Sequence, residues 1–408
     1  MHDSNMTPAE TWQARAFLIL NVGSSSLKMA LYGEHGDVPH VVGQVDRIGP
    51  QGVMTLKDRN GNPLPVCHQA LDSHAHAMTS MIDALGQVCP DLQLAAIGHR
   101  VVHGGERFNE PAILDQEVMD ALTTLEPLAP LHQPHNLAAV RLAMQVFPGV
   151  PQVACFDTAF HRGHPWVNDA FALPYRYYEQ GVRRYGFHGL SYDYVSGELQ
   201  RIAPELHAGR VVVAHLGNGA SMCAMQGGRS VASTMGFSAL DGLPMGTRCG
   251  QLDPGVLLYM LDQEHLSVEQ IRHVLYSESG LLGLSDGLSN DMRTLQASET
   301  PQARRAIDYF VFRVQRELGA MAAAMGGIDA LIFCGGIGEN SQLIRERICE
   351  RMAWMGIELD PERNAVKAER LISTPSSTTT VMVIPTQEDL VIARAARRVV
   401  HAQKKERS

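Results

Sequence analysis

Short apolar runs recur along the chain at residues 17–20, 153–156, 211–216, 331–334 and 381–384, each closing on a glycine-rich or polar turn. Runs of this length bounded by turns read as buried strands, and their alternation with amphipathic stretches predicts an α/β protein. The plainest helix opens at Thr300-Pro301, a cap followed by proline at the first helical position. It carries Ile307, Phe310, Val314, Leu318, Met321 and Met325 at three-to-four-residue spacing until Gly326-Gly327 stops it. A strand over 330–334 follows, then a loop over 335–340, then a helix from about Ser341 that is expected to turn Leu343, Ile344, Ile348 and Met352 to one face. After the last strand, a helix is predicted from Glu388 through Arg398.

At 408 residues the chain has room for two or three domains with real cores. Hydrophobic residues at 45% and charged residues at 19% are the balance of a folded soluble protein, which excludes disorder and collagen-like repeats. The formal charge of −9 leaves no overall basic excess for a nucleic-acid backbone or an anionic membrane, so neither is expected as a partner. The seven cysteines, Cys67, Cys89, Cys155, Cys223, Cys249, Cys334 and Cys349, contain no C-x-x-C pair and read as reduced thiols. The N-terminal region opens with acids, and no run approaches a membrane span, so a cytoplasmic location is expected.

Chemistry concentrates in three glycine-rich segments after strands. The first, Asn21-Val22-Gly23-Ser24-Ser25-Ser26-Leu27-Lys28, offers a tight turn, three hydroxyls and a cation, all suited to phosphate; as a lone feature it reads equally as a serine-rich hairpin. The second, His215-Leu216-Gly217-Asn218-Gly219-Ala220-Ser221, contains the commonest tight-hairpin dipeptide and by itself reads first as a hairpin. The third is Gly335-Gly336-Ile337-Gly338-Glu339-Asn340. None is a P-loop or a complete G-x-G-x-x-G, and three together favour a nucleotide gripped between two domains over a Rossmann dinucleotide site.

Two arginines, Arg100 and Arg248, are flanked by glycines, and guanidinium forks match carboxylate and phosphate oxygens; singly, each reads first as an ion-pair partner. Of the 18 histidines, His132, His188 and His215 stand in glycine- or proline-rich turns, the alternative for each being a satisfied core histidine. No clustered zinc-ligand spacing occurs. Asp157 ends an apolar run, where a carboxylate can orient a phosphoryl acceptor or a metal-bound water, and Glu388 starts a helix, where the macrodipole alone favours it. Magnesium needs only one or two such carboxylates together with nucleotide phosphates.

As a set, NVGSSSLK (21–28), GHRVVHGGE (98–106), APLH (129–132), FDTAFH (156–161), RRYGFHG (183–189), HLGNGAS (215–221), MGTRCG (245–250), GGIGEN (335–340) and PTQEDL (385–390) resemble the acetate kinase family of the acetate and sugar kinase, Hsp70 and actin superfamily. The blocks stand in family order along nearly the whole chain. The resemblance implies two duplicated actin-like (ribonuclease H-like) α/β domains with an interdomain active-site cleft: residues 1–155 plus 389–408 on the acyl side, and 156–388 on the nucleotide side. It implies reversible, direct in-line transfer of a phosphoryl group from ATP to acetate, giving ADP and acetyl phosphate, with Mg²⁺ or alternatively Mn²⁺, in a cytoplasmic homodimer.

By the same resemblance, Asn21 and Glu388 hold the metal, and Lys28, Ser24 and Ser26 lie in the nucleotide site. His215, Leu216, Gly217, Asn218, Gly219, Asp291, Met292, Arg293, Gly336, Ile337, Gly338, Glu339 and Asn340 bind phosphates, ribose and adenine. Asp157, His188, Arg248 and Arg100 are catalytic, and Arg100, Val102, Leu131, His132, Phe187 and Ala239 bind the acid. Two departures from the family pattern are Leu131-His132-Gln133-Pro134-His135-Asn136, where L-H-N-P-P-N is common, and Ala239 in a commonly proline position. The smaller Ala239 keeps propionate or another short-chain acid as the alternative substrate. A nucleotide-gated binding module and an NAD-dependent oxidoreductase are the readings from other classes.

Overall fold

A computed structural model describes residues 15–23, 26–66 and 71–406. The chain divides into two compact units, Met1–Ala159 completed by Gln387–Ser408, and Phe160–Thr386.

The first unit is built on β1 (Ala16–Val22), β2 (Ser26–Tyr32), β3 (Val41–Asp46), β4 (Val53–Asp58), β5 (Leu94–Val101), β6 (Ala112–Ile113) and β7 (Gln152–Phe156), in the sheet order β4-β3-β2-β1-β5-β7-β6. β1 to β4 form an antiparallel meander, while β5 and β7 join β1 in parallel. Side chains of β1 alternate between two helical layers, as a two-residue period requires. Leu18 and Leu20 pack with Met78, Met81 and Leu85 of α1 (His74–Val88), whereas Phe17 meets Ala396 and Val400 of the C-terminal helix Glu388–Glu406. That helix lies close on the sheet because β5 carries Gly98. A Cβ there would stand 2.6 Å from Cγ2 of Ile392 and 2.9 Å from Cδ1 of Ile19. A second helix, α2 (Gln133–Val146), adds Ala139 and Ala143 to the core around α1.

The second unit repeats the plan with β8 (Arg210–Leu216), β9 (Ala220–Gln226), β10 (Arg229–Ser233), β11 (Ala330–Cys334) and β12 (Thr380–Val383), in the order β10-β9-β8-β11-β12. Here three antiparallel strands, one fewer than in the first unit, are followed by two that run parallel to the first. This is the duplicated actin-like α/β arrangement that the resemblance implied. Tyr192, Val195 and Leu199 of α3 (Gly189–Ile202) cover Val211, Val213 and Ile332. The 25-residue helix α4 (Pro301–Met325) buries Phe310, Val314 and Leu318. Its boundaries are those the sequence predicts: Thr300 accepts the Ala303 N–H at 3.3 Å, and Gly326 closes the helix at φ 71°.

Two local expectations change. Residues Gly335–Asn340 are a helical turn and not a loop, because Gly335 at φ 75° starts the turn and the Glu339 carboxylate accepts the Gly335 N–H at 2.9 Å. The following helix, Gln342–Cys349, buries Ile344 and Ile348 but leaves Leu343 45% exposed, and Met352 lies buried beyond its end.

Gly98→Ala should destabilise the protein by about 1–3 kcal/mol through overpacking against Ile392 and Ile19, read as a lower denaturation midpoint with unchanged slope. Acid should act through buried imidazoles. Burial lowers the pKa of His99 to about 4 and of His161 to about 4. Both values lie below that of an unfolded histidine, about 6.5, so the unfolded state takes up the protons. The stabilisation is complete above pH 6.5 and is lost as pH falls toward 4, by about 3 kcal/mol per histidine. Melting temperature measured from pH 7 to pH 4 should fall steeply over this interval; a flat profile would contradict it.

Candidate active site

In the first unit, the parallel strands β1, β5 and β7 end side by side, which brings Asn21, Arg100 and Asp157 together although they are far apart in the chain. Arg100 Nε donates to both Asp157 oxygens at 3.0 and 3.1 Å, and Nη2 donates to Oδ2 at 2.5 Å. Nη1 donates to Asn21 Oδ1 at 3.3 Å, and Asn21 Nδ2 donates in turn to Glu388 Oε2 at 3.3 Å. Of the guanidinium's five N–H groups these bonds use three, leaving one on each terminal nitrogen. Burial pulls the Arg100 pKa down, but the charges of Asp157 and Glu388 more than offset this and keep the guanidinium protonated. Burial likewise pushes the Asp157 carboxyl up, opposed by the charge and hydrogen bonds of Arg100.

Around this cluster, α2 clamps the ends of the strands. Gln133, fully buried, accepts the His103 N–H at 3.1 Å and donates to the His103 carbonyl at 3.0 Å. Asn136 accepts the Val102 N–H at 3.0 Å and donates to the Val22 carbonyl at 2.8 Å, tying the end of β1 to the segment after β5. Sequence reasoning gave neither amide a role, although both stand in the segment Leu131–Asn136 that it singled out. Val102 is buried, Leu131 exposed and His132 half-buried at the start of α2.

Lys28, exposed on β2, is opposite Asn21 in the hairpin register, and Ser26 opens the same strand; Ser24 lies outside the described residues. Asp389 was also missed. Burial and the neighbouring Glu388 raise its pKa to about 6. Among the described residues no group of three or more His, Cys, Asp or Glu side chains could form a protein-only metal cage. Glu388 and Asp389, adjacent at the start of the C-terminal helix and beside the amide oxygen of Asn21, nevertheless make a hard-oxygen donor set. Such a set fits magnesium, which retains waters and binds nucleotide phosphates.

In the second unit, Gly217–Gly219 is the β8–β9 hairpin turn, closed by a Gly217 N–H bond to the Gly219 carbonyl at 3.0 Å. It occupies the same place in its sheet as the β1–β2 turn at Gly23 occupies in the first, so both early glycine segments are hairpins. A Cβ on Gly219 would lie 2.8 Å from Arg248 Nη2 and 3.2 Å from His188 Nε2; only a bare backbone leaves room beneath both groups. Arg248 is anchored from behind, its Nη1 donating to the Ala239 carbonyl at 2.6 Å. His188, at φ 57°, stacks on His215 with ring centroids 4.4 Å apart. The preceding Phe187 is buried, and its carbonyl accepts from His161 Nε2 at 3.0 Å.

Those predicted nucleotide residues that belong to the second unit lie along the same strand ends. Parallel β8 and β11 set Gly217 against the start of the turn Gly335–Asn340: a Cβ on Gly217 would be 3.8 Å from the Gly336 nitrogen. Within that turn Ile337 is half-buried, Gly338 is buried, and Asn340 donates to the Gly336 carbonyl at 2.9 Å. Leu216 is fully buried at the end of β8. Asn218 approaches Gly246 closely, and a Cβ on Gly246 would also lie 3.2 Å from the Asn290 carbonyl, next to Asp291. Asp291 caps the helix Met292–Gln296, accepting the Arg293 N–H at 2.7 Å; Met292 is buried and Arg293 exposed. Gln296 then donates to Ser341 at 2.6 Å, joining this helix to the end of the glycine turn.

Fold and side chains together define a duplicated actin-like protein with clustered basic groups and glycine turns at its strand ends. Residues 16–394 match the model of the acetokinase family. The chain is 53% identical over 393 residues to the acetate kinase of Methylocella silvestris, covering 93% of this chain and 97% of that one. It is 50% identical over 384 residues to the acetate kinase of Nitrobacter hamburgensis, covering 93% and 95%. Among solved structures, a propionate kinase from Francisella tularensis superposes with a TM-score of 0.87 at 36% identity, covering 93% of this chain and 98% of that one. The acetate kinase of Porphyromonas gingivalis gives 0.85 at 37% identity, covering 95% and 100%. The chain belongs to the acetokinase family.

Proposed function

We propose that the chain transfers the terminal phosphoryl group of ATP to acetate, reversibly, giving acetyl phosphate and ADP. The observation that carries this reading is the pair Arg248 and His188 poised over the bare backbone of Gly219. Two such donors side by side suit the equatorial oxygens of a transferring phosphoryl group, which gain charge as the reaction proceeds. Acetate is already an anion at neutral pH, so no general base is needed. Its charge must be offset and its oxygen held in line. Arg100 is the group that offsets the charge, since Asp157 fixes the fork and two N–H donors remain.

In the step itself an acetate oxygen forms a bond to the γ-phosphorus while the bond to the β,γ-bridging oxygen breaks, and the electron pair leaves with ADP. Val102, Leu131, His132, Phe187 and Ala239 are proposed to surround the acid. Lys28 and Ser26, the turn from His215 to Gly219, Asp291 to Arg293 and the turn from Gly336 to Asn340 are proposed to hold the nucleotide. Asn21 and Glu388 would hold Mg²⁺, which when bound supplies positive charge to the nucleotide phosphates.

A homodimer belongs to the same proposal, supported by apolar side chains left on the surface of the second unit, among them Leu258, Tyr259, Val268 and Phe312. So does a cytoplasmic location, supported by the six cysteines among the described residues, all thiols outside any disulfide. No described helix is long and apolar enough to cross a membrane. The Francisella tularensis propionate kinase keeps the longer acid as a second reading. One methylene in an apolar pocket is worth about 1–3 kcal/mol, so kcat/KM for C2, C3 and C4 acids decides between them.

Purified protein with ATP, acetate and Mg²⁺ should form an acyl phosphate that hydroxylamine traps, and chelation of the metal should abolish it. Arg100→Ala should lower the rate about 10²–10³-fold with ATP binding retained; an unchanged rate would refute the role. Because that variant leaves Asp157 buried without its partner, its melting should be followed alongside, with Arg100→Lys as the charged control. Gly219→Ala should keep the melting temperature while cutting kcat about 10²-fold, since the new methyl displaces only the ends of Arg248 and His188. Transfer is direct, so a chemically competent phosphoryl group trapped on Asp157 or Glu388 would overturn the mechanism.

A further inference from the structure

One turn along α3 from His188 stands Tyr192, and between the two side chains lies Ser221 of β9. The Tyr192 hydroxyl is 2.5 Å from Ser221 Oγ, and Ser221 Oγ is 2.8 Å from His188 Nδ1. Tyr192 and Ser221 are both fully buried. We propose that Tyr192 and Ser221 form a two-hydroxyl relay that holds His188 as the neutral tautomer protonated on Nε2, making it a fixed hydrogen-bond donor to phosphoryl oxygens. The donor role rests on the proposed part of His188 in phosphoryl transfer.

The direction of the relay follows from counting hydrogens. Among the described residues, Ser221 is the hydrogen-bond partner of the Tyr192 phenol. Burial raises the phenol's pKa well above its usual value, so it keeps its hydrogen at working pH. If His188 Nδ1 donated to Ser221, either the serine hydrogen would turn to the phenol oxygen and strand the phenol hydrogen, or the phenol would donate to Ser221 as well and strand the serine hydrogen, and buried hydroxyls avoid both. The phenol therefore donates to Ser221, Ser221 donates to Nδ1, and the ring proton sits on Nε2. That nitrogen is the one beside the position of the missing Gly219 Cβ, together with Arg248 Nη2.

The backbone supports the same orientation. His188 is a non-glycine residue in the left-handed region, a conformation that surrounding contacts must hold. The carbonyl before it is pinned by His161 Nε2, whose other ring nitrogen lies 2.8 Å from Ser230 Oγ. A carbonyl can only accept, so His161 is protonated on Nε2 and Ser230 donates to its Nδ1. The ring of His188 is thus set by its backbone and by Nδ1, with Nε2 as the working atom. Tyr192 and Ser221 are positioning residues, acting through His188.

The test is ¹⁵N NMR of histidine-labelled protein, with the His188 signals assigned by their loss in His188→Gln. The wild type should show a non-protonated Nδ1 and a protonated Nε2. Tyr192→Phe, which keeps ring volume, should disturb this tautomer and lower kcat about 10–100-fold with KM for both substrates little changed. Ser221→Ala should do the same, whereas Ser221→Thr, which keeps a hydroxyl, should restore both tautomer and kcat. A protonated Nδ1 in the wild type overturns the relay whether or not any variant folds. So does a Tyr192→Phe protein that melts lower yet keeps wild-type tautomer and kcat. If the tautomer is as stated but the wild type forms no acyl phosphate, the reading of function fails, and the donor role with it.

Discussion

A guanidinium drawn largely out of water is tolerated only where its charge and its N–H groups are met, and Arg100 is met on one edge by the Asp157 carboxylate. That fork fixes the rest of the first unit's chemistry. Asn21 bridges from it to Glu388, so the ends of β1, β5 and β7 and the first turn of the C-terminal helix become one hydrogen-bonded assembly. The helix can come that near because Gly98 has no side chain. A side chain omitted on β5 therefore matters as much as the charges placed beyond its end.

The second unit uses the same sparing of volume at a different place. Gly219 leaves open the space over which Arg248 and His188 converge. Each of these groups is held from behind, the arginine by a backbone carbonyl and the histidine by Ser221. Side chains fixed in this way lose little freedom when a charged group arrives, which is what the role proposed for them in phosphoryl transfer requires. The chemistry calls for little else, since a carboxylate nucleophile arrives already ionised.

Duplication explains why the glycine turns recur. In each unit the first two strands form a hairpin beside two parallel strands, so the hairpin turn lies at the same end of the sheet as the carboxyl ends of the parallel strands. Loops at that end are where open α/β sheets collect ligands. The first unit placed an arginine and carboxylates there; the second placed a bare turn, an arginine and two stacked histidines.

Much of the fold was legible along the chain. Each apolar run became a strand, because burial on both faces demands unbroken apolar residues. The long helix α4 kept its boundaries because Thr300 and Gly326 act on backbone groups within a few residues. Arg100 and Asp157, each singled out along the chain as a candidate, meet as an ion pair. Other features were decided only by tertiary structure: the helical turn at Gly335–Asn340, the exposure of Leu343, the clamp of Gln133 on His103, and the meeting of Tyr192, Ser221 and His188. A cap or an apolar stripe is a local matter that the chain states for itself. Which hydroxyl faces which imidazole depends on strand order and register between segments far apart in sequence, and a shift of one residue in register would turn Ser221 to the opposite face.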